Sequence, residues 1–162
     1  MKIYNSPSIG VICSTQNEIP LPFLNLAFEL GQFLSQKGFK IKIADHNSGM
    51  VQQLCEGVFS KNGNMNFMST PYEKNRTTEL IQKSDLFIIL PGGYEVLEKL
   101  ITLINYNKET NPPKPIVVLD YMNYFSPFLN WLEDIANINA IQKPSESFCI
   151  ARMISDLEKI LT

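Results

Sequence analysis

Arg76 and the turn Pro91-Gly92-Gly93 are the residues of this chain best suited to chemistry. A guanidinium offers a planar fork of donors that matches a carboxylate or phosphate. Two consecutive glycines remove side chains where a chain must turn and where a ligand can approach the backbone. The turn follows Leu86-Phe87-Ile88-Ile89-Leu90, an apolar run without polar alternation, which suits a strand buried on both faces. After it, Leu97, Leu100, Ile101 and Ile104 fall at helical spacing. Strand, glycine turn and helix N-terminus together favour anions, because first-turn N–H groups lack intrahelical partners. The same segment also reads as a plain strand-to-helix turn, and Arg76 as a solvated surface arginine.

The elements that must position these groups alternate along the chain. Ser8 to Cys13 reads as a buried strand ending at Ser14-Thr15. Pro20 and Pro22 introduce a helix with apolar positions Phe23, Leu26, Ala27, Leu30, Phe33 and Leu34, for which Gly38 is the C′ residue. Phe39 to Ile43 alternates, as expected of a strand with one wetter face. Val51, Leu54, Cys55 and Val58 mark the next helix, closed by Asn62-Gly63. A weak strand at Met65 to Met68 and a polar helix at about 73–83 lead into the strand and glycine turn already described, whose helix runs to about Tyr106. Asn111-Pro112-Pro113-Lys114-Pro115 is a rigid connector to the strand Ile116 to Leu119. Ser126-Pro127 predicts an N-cap with proline at N1. A short strand at Phe148 to Ile150 and a helix from Met153 to Leu161 close the chain. The series predicts an α/β, doubly wound, Rossmann-like three-layer sandwich with a mostly parallel sheet, as one domain over residues 1–162. Its ligands belong at the carboxyl ends of the strands.

Composition narrows the function. With 162 residues, a formal charge of −2 and a pI near 5.4, nothing suggests a nucleic-acid surface. No apolar run approaches the ~20 residues of a membrane span, and MKIYNSPS predicts no signal peptide. Cys13, Cys55 and Cys149 are odd in number and set in apolar sequence, which predicts small core residues of a reduced, cytoplasmic protein. His46 stands alone, so no metal site is expected, and no cofactor is implied. No GxGxxG follows the first strand and no GxxxxGK[ST] occurs, which argues against a dinucleotide oxidoreductase or a P-loop enzyme. Cys13 lacks a histidine at fixed spacing and makes a poor nucleophile.

The chain resembles the LONELY GUY (LOG) family, also labelled lysine-decarboxylase-like, whose main signature is PGGxGTxxE after a buried strand. Asn75-Arg76 falls on the Glu-Arg of the family's HERK, Ser84-Asp85-Leu86-Phe87-Ile88 on its SDAFI, and Lys114-Pro115-Ile116 on the Lys-Pro-Val of the next strand. Ile9-Gly10-Val11-Ile12-Cys13-Ser14 is similar to its opening strand and Cys-Gly-Ser-Ser turn. The resemblance covers nearly the whole chain. It implies a homodimer and hydrolysis of the N-glycosidic bond of nucleoside 5′-monophosphates, releasing base and ribose 5-phosphate. That reaction develops oxocarbenium character on the ribose, so a carboxylate near C1′ lowers the barrier. Lysine decarboxylation itself is not expected of so short a chain.

Residue by residue, Pro91, Gly92 and Gly93 match the signature. Its glycine and threonine are Glu95 and Val96, and its final glutamate falls on Lys99. The family's triple glycine before Gly-Leu-Met-Gly reads Ala44-Asp45-His46, with Gly49 alone matching. A phosphate ~5 Å from Glu95 meets ~0.8 kcal/mol of repulsion even in water, and Lys99 cannot stabilise a cationic ribosyl centre. The resemblance thus implies a nucleoside monophosphate or related small molecule as ligand, held by Ser14, Thr15, Gly49, Arg76, Pro91, Gly92, Gly93 and Tyr94, with phosphoribohydrolase activity weak or lost. In the alternative reading the N-glycosidase is active and uses a displaced carboxylate, Glu95 or Glu98. A third reading has a vestigial pocket and a working dimer face. The dimer is expected on the helix after Gly93, together with the helix at 73–83.

Overall fold

The computed structural model describes residues 6–161. The leader reading of MKIYNSPS falls mostly on residues 1–5, outside that range. Six strands, β1 (Ser8–Ile12), β2 (Lys40–Ile43), β3 (Met65–Phe67), β4 (Leu86–Ile89), β5 (Ile116–Leu119) and β6 (Cys149–Ala151), form one sheet in the order β3-β2-β1-β4-β5-β6. Every pairing is parallel, so the sheet is wholly parallel. Six helices connect or follow the strands: α1 (Leu21–Gln36), α2 (Met50–Ser60), α3 (Glu73–Lys83), α4 (Tyr94–Lys108), α5 (Ser126–Asn137) and α6 (Ile154–Leu161).

Alternation of side chains along each strand divides the core into two layers. Ile9, Val11, Ile88, Leu90, Val117 and Leu119 pack with Leu30, Leu34, Leu54 and Leu157 of α1, α2 and α6. Ile12, Phe87, Ile89, Ile116 and Val118 pack with Leu80, Leu100, Leu103, Leu129 and Leu132 of α3, α4 and α5. Both faces are therefore dry, which is why these strands read as continuous apolar runs.

Element positions follow the periodicity closely, and the exceptions have local causes. Ser126 is the first residue of α5 rather than its cap, and Phe125 takes the cap position. The Ser126 hydroxyl is instead drawn 2.8 Å to the buried Asp120 carboxylate. Cys13 and Cys55 are buried as expected, but Cys149 is exposed, because β6 is an edge strand with no neighbour beyond it. Among the described residues, no helix is long and apolar enough to cross a membrane.

Candidate functional site

The strand order reverses direction between β1 and β4, and in open parallel sheets the crevice at such a switch point receives ligands. Here it is floored by Ser14 and Gly92. Leu90 N–H donates to the Ile12 carbonyl at 2.9 Å, and a Cβ built on Gly92 would lie 3.5 Å from the Ser14 nitrogen. That Cβ would also meet Val96 Cγ2 at 2.2 Å, so close packing of α4 on its own turn requires glycine at 92. Gly93 caps α4 through its carbonyl, which accepts from the Val96 and Leu97 N–H groups at 3.1 Å. On the far side the Gly92 carbonyl accepts the Tyr124 hydroxyl at 2.6 Å.

The loops after β1 and β2 are stitched together. Ser14 is buried, its hydroxyl oxygen accepts the Gln16 N–H at 3.1 Å, and its carbonyl accepts the Met50 N–H at 3.0 Å at the start of α2. The Ser48 hydroxyl donates to the Thr15 carbonyl at 2.7 Å, and the Gly49 N–H donates to Asn17 Oδ1 at 3.3 Å. Gly49 has φ +56°, and its Cβ would stand 2.4 Å from the Gln16 carbonyl oxygen. Glycine is required there twice over, by conformation and by contact.

Lys99 is buried: its side chain is 5% exposed. Its ammonium lies 2.9 Å from the Asp45 carboxylate, itself 7% exposed, and 3.7 Å from that of Glu73, which is open to solvent. The lysine at the signature's glutamate position and the aspartate in the former glycine loop are therefore partners, joining α4 to the end of β2. An unpaired charge here would be costly, so each residue accounts for the other.

Arg76 is half-buried, and its guanidinium is already engaged. Nε donates to the Ala44 carbonyl at 3.0 Å, and Nη1 to those of Pro71 at 2.9 Å and Thr70 at 3.3 Å. It clamps the loops after β2 and β3 beside Asp45. Glu95 turns back on its own helix: Oε2 lies 3.2 Å from the Cβ position of Gly93, while Oε1 is buried with no donor among the described residues. Glu98 is exposed in a groove of about 340 Å³ between α3 and α4, with Glu73, Lys74, Thr77 and Thr102. Glu98 precedes Lys99 by one residue, about 100° of rotation, and Lys99 also lines this groove. Tyr94 is almost wholly exposed at 92%, and Pro91 is buried beneath the turn.

Cys13, at the end of β1, is fully buried. Burial first, and the nearby Asp45 carboxylate second, push its thiol well above the ordinary range, so it stays neutral and is no nucleophile. No group of His, Cys, Asp and Glu able to hold a metal occurs among the described residues.

The structure thus gathers Ser14, Thr15, Gly49, Gly92, Gly93 and Glu95 at the carboxyl edge, sets Arg76 beside them, and leaves Glu98 in the helix groove. Sequence reasoning missed the Lys99–Asp45 pairing and the Tyr124 bond to Gly92. Two separate departures from one family pattern, of opposite charge, were the available signal for the pairing. Nothing in the sequence marked Tyr124.

Solved structures share this architecture. The molybdenum cofactor binding protein of Rippkaea orientalis superposes with a TM-score of 0.70 over 98% of this chain and 99% of its own, at 19% identity. The molybdenum cofactor carrier protein of Chlamydomonas reinhardtii gives 0.71 over 97% and 99%, at 14%. At such identities the likeness is one of fold. In sequence, the chain is 26% identical over 142 residues to the probable cytokinin riboside 5′-monophosphate phosphoribohydrolase LOGL1 of Oryza sativa subsp. japonica, covering 75% of this chain and 63% of that protein. It is 25% identical over 146 residues to the cytokinin riboside 5′-monophosphate phosphoribohydrolase LOG of the same plant, covering 77% and 60%. The chain therefore spans about six-tenths of the length of these relatives. The family model described as "Possible lysine decarboxylase" matches residues 36–162, from the end of α1 through the crevice to the last helix, and the chain belongs to that family, the one that includes the LONELY GUY proteins.

Proposed function

We propose that this protein is a LOG-like nucleotide- or nucleoside-binding protein with weak or lost nucleoside 5′-monophosphate phosphoribohydrolase activity, acting as a single domain over residues 1–162. The observation that carries this reading is the buried Lys99–Asp45 pair. A cation stands at the signature position of a carboxylate, and neutralising it with Asp45 fixes it there. Loss of one well-placed electrostatic group typically costs about 10²–10³-fold in rate, and a reversed charge adds repulsion toward an oxocarbenium-like centre. The binding half keeps some of its parts. Ser14, Thr15, Gly49 and the Pro91-Gly92-Gly93 turn form the crevice, Tyr94 lies open at its edge, and Arg76 fixes the neighbouring loops.

The second reading, an active N-glycosidase with a displaced carboxylate, draws on the inward turn of Glu95 at Gly93. Incubation with a panel of nucleoside 5′-monophosphates, assaying free base, decides between them. The expected result is little or no release. Rapid release abolished by Glu95→Ala or Glu98→Ala would establish the second reading instead.

The protein is further proposed to be a cytoplasmic homodimer. Three unpaired cysteines support a reducing compartment. For the dimer, α4 offers less apolar surface than its sequence suggests. Leu100 is spent in the core and Leu97, Ile104 and Tyr106 pack partly against it. Ile101 remains, 42% exposed, beside Ile141. Light scattering giving a single 18.4 kDa species at micromolar concentration would remove the dimer.

A further inference from the structure

The loop after β5 is built with unusual care for a connector. Met122 and Asn123 both take left-handed backbone angles, φ 54° and 57°. Asparagine tolerates that region, whereas methionine does not. The conformation persists because its flanks are tied down. The buried Asp120 carboxylate accepts the Phe125 N–H at 2.7 Å and the Ser126 hydroxyl at 2.8 Å, and Arg152 donates to Asn123 Oδ1 at 2.8 Å. The result of this bracing is the placement of Tyr124, whose hydroxyl donates to the Gly92 carbonyl.

That bond fixes a peptide plane. The unit joining Gly92 to Gly93 is trans, since Asn111-Pro112 alone is cis among the described residues, and a planar trans peptide points its N–H opposite to its C=O. With the carbonyl held toward Tyr124, the Gly93 N–H is held away from it, at the N-terminus of α4. Two adjacent glycines would otherwise leave this plane the freest in the crevice. The ring of Tyr124 is 42% exposed and meets Phe23 of the first turn of α1 edge-on, with centroids 5.5 Å apart and planes at 70°. The carboxyl edge thus carries an oriented amide and, beside it, an aromatic corner.

We propose that Tyr124 is a ligand-positioning residue of this crevice: its hydroxyl orients the Gly92–Gly93 amide toward the anionic part of the ligand, and its ring, cornered with Phe23, receives a planar heterocyclic base. The proposal rests on the nucleotide-binding reading and gives that site its base-recognising wall. Aromatic rings accept bases by stacking with little regard to sequence-specific hydrogen bonds. The expected ligand is therefore any nucleoside-class molecule with a planar base.

The test is calorimetric titration of the full chain with AMP, adenosine and ribose 5-phosphate, in the wild type and in Tyr124→Phe, Tyr124→Leu and Phe23→Leu. Tyr124→Phe, which keeps the ring, should weaken ribose 5-phosphate and AMP by about threefold and spare adenosine. Tyr124→Leu should weaken AMP and adenosine by about tenfold or more. Phe23→Leu, which leaves the Gly92 bond in place, should weaken AMP and adenosine while sparing ribose 5-phosphate. A uniform loss of all three ligands in every variant would mark a merely structural role and overturn the proposal. So would unchanged affinities in all variants, with the binding reading intact. A wild type that binds none of the three overturns both.

Discussion

Two loops leave the sheet on either side of β1 and face the same Ser14. The turn after β4 keeps the family's Pro-Gly-Gly, carries no charge of its own, and packs so closely on α4 that glycine is required at 92. The loop after β2 has exchanged glycines for Ala44, Asp45 and His46, is stitched by hydrogen bonds to the loop after β1, and holds a buried carboxylate. One loop is still shaped for a ligand to approach backbone. The other has filled itself with protein. Lys99 belongs to the helix that begins at the first turn, yet its charge is answered in the second loop. The difference teaches that the two loops of such a crevice diverge together: a reversed charge on the helix of one is kept in the interior by a new buried partner in the other.

The largest effect should come from separating that pair. Lys99→Leu or Asp45→Ala alone leaves a charge buried without its partner and should cost about 3–5 kcal/mol, read as a fall in the urea midpoint. The double variant Asp45→Ala/Lys99→Leu should recover much of that loss, because no charge is left in the interior. Purely additive losses would mean that the two residues are not coupled and that the second loop does not answer the first.

Next come the glycines, one in each loop. Gly49→Ala forces a Cβ to 2.4 Å from a backbone oxygen at a positive φ, and neither can yield cheaply. Gly92→Ala meets the Val96 side chain instead. Overpacking of this kind costs about 1–3 kcal/mol, with Gly49→Ala expected at the upper end. Gly92→Ala should be relieved by adding Val96→Ala, and thermal melts of the three variants check the order.

Much of this contrast was legible in the chain, and its limits are physical. Strands buried on both faces announce themselves as apolar runs, so β1, β4 and β5 and a mostly parallel sheet followed from hydropathy, and the structure makes every pairing parallel. The polar helix expected at about 73–83 is α3, Glu73–Lys83. What could not be read was contact between distant residues. Gly31 and Gly57 look like weak points in two helices, yet a Cβ on either would meet the backbone of the other helix at 2.4 Å or less. Asp45 and Lys99 each read as a lost motif residue, and their compensation exists only once β2 and α4 are side by side. Arg76 was expected to face a ligand, and the carbonyls of Ala44, Thr70 and Pro71 that engage it belong to loop conformations with no sequence signature.

A smaller effect tests the turn after β4 directly. Glu95 sets a carboxylate near Gly93, and removing one unit charge ~5 Å from a phosphate relieves ~0.8 kcal/mol at water's dielectric, roughly a fourfold change in affinity. Glu95→Gly or Glu95→Gln should therefore tighten AMP and ribose 5-phosphate while leaving adenosine unaltered. Affinities for AMP and ribose 5-phosphate unchanged by either substitution would show that the side chain lies away from the anion.

The smallest effect concerns how the arginine of this crevice is held. Thr70 offers its carbonyl to Arg76, and its hydroxyl and N–H both donate to the Glu79 carboxylate. Hydrogen bonding from Lys83 first, and from Thr70 second, lowers the Glu79 pKa from 4.5 to about 2. A carboxyl group whose pKa falls on folding binds fewer protons in the native state, so its stabilising contribution is complete above about pH 4.5. That contribution declines as the pH drops through about 2. Glu79→Gln should flatten the acid limb of the stability curve between those values by lowering the curve toward neutrality, where the ionised carboxylate contributes. It should leave the curve nearly unmoved below about pH 2, and solvent screening of the exposed Lys83 partner keeps the drop small. Because Arg76 keeps its bonds to Ala44 and Pro71, ligand affinity at pH 7 should change by less than in any variant above. A large loss of AMP binding in Glu79→Gln would instead show that the Thr70 loop, and not the stitching of the loop after β2, sets the position of Arg76.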